Sequence, residues 1–325
     1  MTTFKGIRGT AIQVLSSDPS NPEEGQIWYN SSSGTLKGYA QATIGWTSGG
    51  NLGTARYGLG GAGTATASIA FGGSTPPGSP VTNSESYNGS AWTATPSLNT
   101  ARSRIGGSGT QTAIVTTGGR LDIPGTSTTA TEKWNGSAWT SGNNSNTSTR
   151  YRGMAGIQTA ALAFGGSGPN NQSESYNGTN WTATPSLNTA RGYLAGAGTQ
   201  TSALAFGGSS PYSGATESFN GSAWTSVNSM NTLRASLSGF GTQTAAIGIN
   251  GSTGPALVTA TELWNGTSWT TSTAVPVSSS YRTNGTLGTQ ASGLVAGGTP
   301  AAAALNSTQI WTGPGSYATK TITVS

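Results

Sequence analysis

Hydrophobic positions along this chain come in brief runs that end at glycine, and the same run recurs: IAFGG, IVTTGG, ALAFGG, ALAFGG and LVAGG, ending at Gly73, Gly119, Gly166, Gly208 and Gly298. Each sits at a fixed place in a four-part pattern. A Gly- and Ala-rich stretch such as RGYLAGAGT comes first (strand a), then the apolar run TSALAFGG (b). A Glu-x-aromatic triplet such as ESF follows (c), and Asn-Gly leads into a segment carrying Trp, such as SAWTS (d). Asn-Gly between two short strands predicts a two-residue hairpin, because both turn residues need positive φ. The pattern therefore predicts repeated units of four short antiparallel strands.

The repeat is explicit. ESYNGSAWTATPSLNTAR (85–102) returns as ESYNGTNWTATPSLNTAR (174–191), and EKWNGSAW, ESFNGSAW and ELWNGTSW begin at 132, 217 and 262. The Trp after each Asn-Gly falls at 92, 139, 181, 224 and 269, with Trp46 in phase before them; the steps are 46, 47, 42, 43 and 45 residues. An Arg follows each Trp by ten to thirteen residues: Arg56, Arg102, Arg150, Arg191, Arg234 and Arg282. Four-stranded units at this period indicate propeller blades. A Gly pair, an aromatic, a Trp about six residues on and an Arg together resemble the kelch repeat, over roughly residues 46–311. There are departures. Asn250-Gly251 replaces one Gly pair, Gln309 stands for Glu, and the third and sixth units are one residue shorter between Arg and the a–b turn, which puts the register of Arg150 and Arg282 in question.

Composition suits many thin sheets better than one large core. Of 325 residues, 51 are Gly, 33% are apolar and only 7% are charged, yet ten are Trp. Disordered chains lack such aromatics and carry more charge. No Cys or His is present, which excludes disulfides, thiolate nucleophiles and Cys/His metal sites. The net charge of +5 is not clustered, which argues against nucleic acid as a partner. No apolar stretch has signal-peptide or membrane-span length, so the expectation is no cleaved leader and no membrane insertion.

The last unit has a, b and c, ending TQIW at 308–311, but no Asn-Gly-x-x-Trp after it; Trp46 has no a, b or c before it. These halves are complementary. The expected fold is an all-β, six-bladed kelch-like β-propeller closed by an N-terminal strand near Gly45–Thr47. Residues 1–24 form an attachment arm and residues 25–325 the propeller, with GQIWYN, TLKGY and ATKTITVS pairing near the closure.

Of nine acids, Glu85, Glu132, Glu174, Glu217 and Glu262 share one phase. A catalytic acid and base need different environments, whereas phased residues share one. The expectation is a ring of charge-assisted Glu–Arg hydrogen bonds bracing blade to blade. An arginine ring for an anionic ligand is the sharper alternative. The unphased acids Asp18, Glu23, Glu24 and Asp122 form no obvious glycosidase pair. Kelch enzymes of the galactose-oxidase kind use His and a Cys-crosslinked Tyr, and sialidase-like propellers carry Ser-x-Asp-x-Gly boxes; the chain has neither. The reading is non-enzymatic, with no cofactor and no metal. The Asn-x-Ser/Thr triplets at Asn88, Asn135, Asn177, Asn220 and Asn265 are turn chemistry, and the phased Trp are inter-blade core.

Variation concentrates in the b–c loops, whose length from Gly to Glu or Gln steps through 12, 13, 8, 9, 11 and 11 residues. In an up-and-down blade, b–c and d–a loops emerge on one face, so that face is the candidate binding surface. Candidate contacts are Pro76, Arg120, Asp122, Asn170, Tyr212 and Leu257, with Arg104 and Arg152 adding unphased positive charge near the channel mouth. The stretch LSSDPSNPEEGQIWYNSSSGTLKGY resembles the N-terminal region of structural proteins of tailed bacteriophages, and Phe4, Ile7, Ile12, Val14 and Leu15 offer apolar docking spots. That resemblance implies a virion protein of tail-fibre or particle-surface type. It would be attached to other virion proteins through the arm, extracellular after release, and recognise a host-surface receptor or glycan. The alternatives are a purely structural virion decoration or adaptor protein and a cellular glycan-binding kelch protein.

Overall fold

The computed structural model describes residues 12–122, 125–168, 170–209, 211–300 and 303–322. Its regular elements are all β-strands; no helix occurs among the described residues. It divides into two compact units, Gly45–Thr312 and a smaller one holding the described residues up to Ile44 and from Gly313.

The large unit repeats one antiparallel meander in a propeller-like manner. The first copy runs Gly60–Gly63, Ser68–Phe71, Ser84–Tyr87 and Trp92–Thr95, the strands a to d in order. The second is Ser108–Thr110, Ala113–Thr117, Thr131–Trp134 and Trp139–Gly142; the third Gly153–Ile157, Ala160–Phe164, Ser173–Tyr176 and Trp181–Thr184. The fourth is Ala195–Gly198, Ala203–Phe206, Thr216–Phe219 and Trp224–Val227; the fifth Ser238–Gly241, Ala246–Ile249, Thr261–Trp264 and Trp269–Ser272. A last sheet pairs Ser292–Ala296 with Thr308–Thr312, and Thr308–Thr312 with Gly45–Gly49, setting Trp311 opposite Trp46. Asn284–Thr286, the sixth strand a, pairs in parallel with Gly60–Gly63 of the first copy.

Packing explains the composition of each strand. Strand b is buried along its length because both sheet faces are covered, hence its unbroken apolar run. Strand a is Gly-rich because an aromatic ring lies against it: a Cβ on Gly60 would sit 2.5 Å from Phe71 Cε2. Strand d buries its Trp and exposes the residues after it. The Trp ring packs on the strand b Phe of the preceding copy, as in Phe71–Trp139 at 4.8 Å and Phe206–Trp269 at 4.9 Å between centroids.

Three sets of hydrogen bonds join neighbouring copies. The indole N–H groups of Trp46, Trp92, Trp181, Trp224 and Trp269 donate to Thr261, Thr308, Thr131, Ser173 and Thr216, each at the start of strand c next door. The side-chain amides of Gln111, Gln158, Gln200, Gln243 and Gln290 each donate to two carbonyls of the preceding copy. The second residue of each Gly pair donates its backbone N–H onward: Gly73 to Arg102, Gly119 to Thr149, Gly166 to Arg191, Gly208 to Arg234, Gly251 to Ser279 and Gly298 to Arg56. The first residue of each pair has positive φ, including Asn250 at 57°, a conformation Asn tolerates better than other side chains.

In the small unit, Ile27–Asn30 pairs in parallel with Gln13–Leu15 and antiparallel with Thr35–Gln41, which pairs antiparallel with Tyr317–Thr321. Residues 25–44 and the described residues from 313, assigned above to the repeat domain, thus fall in this separate unit. Trp28 is its buried centre. The Asp18 carboxylate accepts hydrogen bonds from the Trp28 indole, the Asn30 amide and Lys37 Nζ at 3.1, 2.7 and 2.8 Å. Lys37, Asn30 and Trp28 together lower the Asp18 carboxyl to about 2. Ile12 and Val14 are exposed; Phe4 and Ile7 lie outside the described residues.

Candidate binding face

The phased acids are occupied internally. Arg56–Glu85, Arg102–Glu132, Arg152–Glu174, Arg191–Glu217 and Arg234–Glu262 form buried ion pairs at 2.5–3.2 Å; each joins the segment leading into strand a to strand c of the same copy, not blade to blade as expected. The Glu carboxylates also accept backbone N–H groups of the arriving d–a crossover: Gly53, Asn99, Asn146, Asn188 and Asn231. Each carboxylate therefore clamps the link from the previous copy.

The third copy corrects the register. Arg152, expected near the channel mouth as a binding residue, is 2% exposed and holds Glu174 at 2.9 Å. The place of the phased Arg is taken by Thr149, whose carbonyl receives the Gly119 N–H. Arg150 is the outlying charge, with Cζ 5.9 Å from the Tyr151 ring centroid. In the sixth copy Ser279 takes the phased place and Arg282 corresponds to Arg152.

The other expected contacts are dispersed. Pro76 is exposed at the tip of a small hairpin formed by Ser74–Thr75 and Ser79–Pro80. Arg120 is buried and braces that hairpin, donating to Ser74 Oγ and the Gly78 carbonyl. Asp122 closes its own loop on the Thr126 backbone N–H and hydroxyl, which hold its carboxyl below the usual range. Asn170 makes a turn, its Oδ1 accepting the Gln172 N–H at 2.8 Å. Tyr212 is 43% exposed and lines a cleft of about 440 Å³ with Tyr193, Ser209, Pro211, Ser236 and Tyr281. Leu257 lines a cleft of about 580 Å³ with Gly254, Pro255, Ser280 and Tyr281.

Both clefts meet at a feature sequence reasoning missed. Gly58, Arg104, Tyr151, Tyr193, Ser236 and Tyr281, one from each copy, all adopt left-handed φ of 54–63°. Their backbones bond in a circle: Arg104 N–H donates to Gly58, Tyr151 to Arg104, Tyr193 to Tyr151, Ser236 to Tyr193, Tyr281 to Ser236, and Gly58 to Tyr281. Non-Gly residues rarely hold this conformation, and repeated instances mark an over-determined or functional position. Their side chains crowd together. Tyr151 and Tyr193 stack at 3.7 Å between centroids, Tyr281 lies 5.8 and 6.3 Å from them, and Arg104 Cζ sits 4.8 Å from the Tyr151 centroid. A cavity of about 30 Å³, room for little more than water, is lined by these residues. Burial, then the charges of Arg120 and Arg150, push the Arg104 guanidinium down; burial pushes the Tyr281 phenol up. Three of the six carry a Tyr close to the phased position, in RYR, RGY and SYR.

Among the described residues no group of three or more His, Cys, Asp or Glu is placed to hold a metal ion. Comparison of the chain with protein-family models and with curated proteins found no match.

Proposed function

We propose that the protein is a non-catalytic phage virion protein, of tail-fibre or particle-surface type. On this reading it presents a six-bladed kelch-like β-propeller, closed by the strand at Gly45–Gly49, for recognition of a host surface or glycan. The observation that carries the recognition role is the convergence of two clefts, with Tyr212 and Leu257 in variable loops, on the tyrosines of the backbone circle. Pockets at the mouth of a repeat ring, lined by aromatic groups and hydroxyls, are built for binding. The phased carboxylates, each committed to an arginine and a crossover, leave that face to adhesion rather than acid–base work.

Six-fold closure is supported by the same circle of backbone bonds, by the bond from Trp92 to Thr308, and by the pairing of Trp46 with Trp311. The virion assignment rests on the resemblance of residues 15–39 to the N-terminal region of phage structural proteins. The exposed Ile12 and Val14 of the small sheet supply the apolar surface an attachment module needs. Copy number on a particle would multiply weak single contacts. Mass spectrometry of purified particles tests the location. Cell binding by the full chain, with loops 74–82 and 209–214 exchanged for those of another copy, tests the role. Absence from particles, or adhesion indifferent to both exchanges, refutes it.

A further inference from the structure

The cleft beside Tyr212 has three tyrosines and a proline as walls and serines at its rim, and its Tyr193, Ser236 and Tyr281 also wall the central cavity that holds Arg104. That composition matches a pyranose: C–H faces lie on aromatic rings, and hydroxyls exchange hydrogen bonds with hydroxyls. The volume, about 440 Å³, falls within the range of roughly 300–1,000 Å³ seen in small-ligand sites.

Arg104 adds a charge requirement. Its guanidinium lies over Tyr151 and within 5.9 Å of the Tyr281 centroid, and it forms no ion pair or side-chain hydrogen bond among the described residues; Nε is buried without a partner. Arg120 and Arg150 act on it as like charges, and no acid lines either the cavity or the cleft. The Tyr151 hydroxyl is also buried without a partner, and Tyr151 is 6% exposed. A guanidinium held on aromatic faces without an acid can still donate charge-assisted hydrogen bonds to an external anion.

We infer that the mouth binds an acidic saccharide, with a sugar ring in the cleft of Tyr193, Tyr212 and Tyr281 and its carboxylate on Arg104. This deepens the recognition reading above and rests on it. The test is calorimetric titration of the full chain with a uronic-acid oligosaccharide and with the same oligosaccharide after carboxyl reduction. The acidic form should bind about tenfold or more tightly, as expected for one charge-assisted contact, and the preference should shrink as salt rises. Arg104→Asn, chosen because Asn tolerates the left-handed backbone, should remove the preference, so that the acidic and reduced forms bind alike. Tyr212→Ala, on an exposed loop, should weaken both ligands. Equal affinity for the two forms in the unsubstituted protein overturns the acid contact, and so does a preference that survives Arg104→Asn. Binding of neither form overturns the inference outright, while the loop exchanges judge adhesion independently.

Discussion

Replacing Gln309 by Glu should stabilise the protein. Five copies neutralise a buried arginine with a glutamate; the sixth does not. Arg282 is 2% exposed, with Nε on Ser279 Oγ at 2.5 Å and Nη2 on the Val277 carbonyl at 3.4 Å, while Nη1 has no partner. Burial alone pushes this guanidinium down to about 10. Gln309, the second residue of its strand c as Glu174 is of its own, is buried with Oε1 unpartnered. The third copy is the template, since Arg152 also directly follows the residue of the backbone circle. A hydrogen bond to a charged group contributes about 1.5–3 kcal/mol, and part of that is offset by burying a new carboxylate. A net gain of about 1–2 kcal/mol follows, or a rise of roughly 2–5 °C in the thermal midpoint. Burial raises the Glu174 carboxyl, but Arg152 and hydrogen bonds from Asn146 and Thr147 outweigh it and leave the carboxyl lowered. A carboxyl lowered in the folded state stabilises fully above its unfolded value and loses that effect as pH falls through its folded value. Calorimetric scans of both proteins should therefore differ at pH 7 and converge as the pH drops below about 4. No gain at pH 7, or one that persists unchanged in acid, would refute the reasoning.

Three further outcomes are expected. Ala65 stands where the other a–b turns carry Gln, so Ala65→Gln should reach the carbonyls of the opposed pair Gly293 and Trp311. Two amide bonds less the cost of ordering the side chain give about 1 kcal/mol, measurable by urea denaturation; an unchanged midpoint counts against the equivalence of the two seams. The indole N–H of Trp139 has no partner, whereas that of Trp224 donates to Ser173. Trp139→Phe should thus cost about 0.5–1.5 kcal/mol less than Trp224→Phe in the same assay, and equal losses would contradict it. Asp18→Asn should loosen the small sheet, read as a shift of Trp28 emission and faster proteolysis in that segment. Acidification of the unsubstituted protein toward pH 2 should do the same, because the lowered carboxyl stabilises only while ionised. A variant indistinguishable from the parent would show that the carboxylate pins nothing.

The strands were legible because their signals are local. Gly pairs, Asn-Gly turns and phased Trp each constrain a few neighbouring residues, and the Glu–Arg pairs of the first, second, fourth and fifth copies follow the phase. Arg152 was misplaced because the third copy moves its arginine three positions along the chain toward strand a and puts Thr149 in its stead; the guanidinium still reaches the carboxylate from the new Cα. Spacing gave the irregularity without its solution. Arg120 looked like a surface charge, but its length lets it cross to the neighbouring hairpin and become buried. The left-handed circle was invisible for a different reason. Its residues include Gly, Arg, Tyr and Ser, with no propensity in common, and their conformation is imposed by backbone bonds to the adjacent copies. Likewise, the pairing of Thr35–Gln41 with Tyr317–Thr321 joins segments with no shared motif.

The pairing of Gly45–Gly49 with Thr308–Thr312 also orders events during translation. The earlier strand leaves the ribosome first and must wait while roughly 260 further residues are made, some ~13–50 s at ~5–20 residues per second. Throughout that interval it is an unsatisfied edge, open to pairing with another nascent chain. Its sequence, GWTSG, is five residues long with a glycine at either end and one apolar side chain, a poor template for mispairing. A segment that must wait this long is thus also a poorly adhesive one.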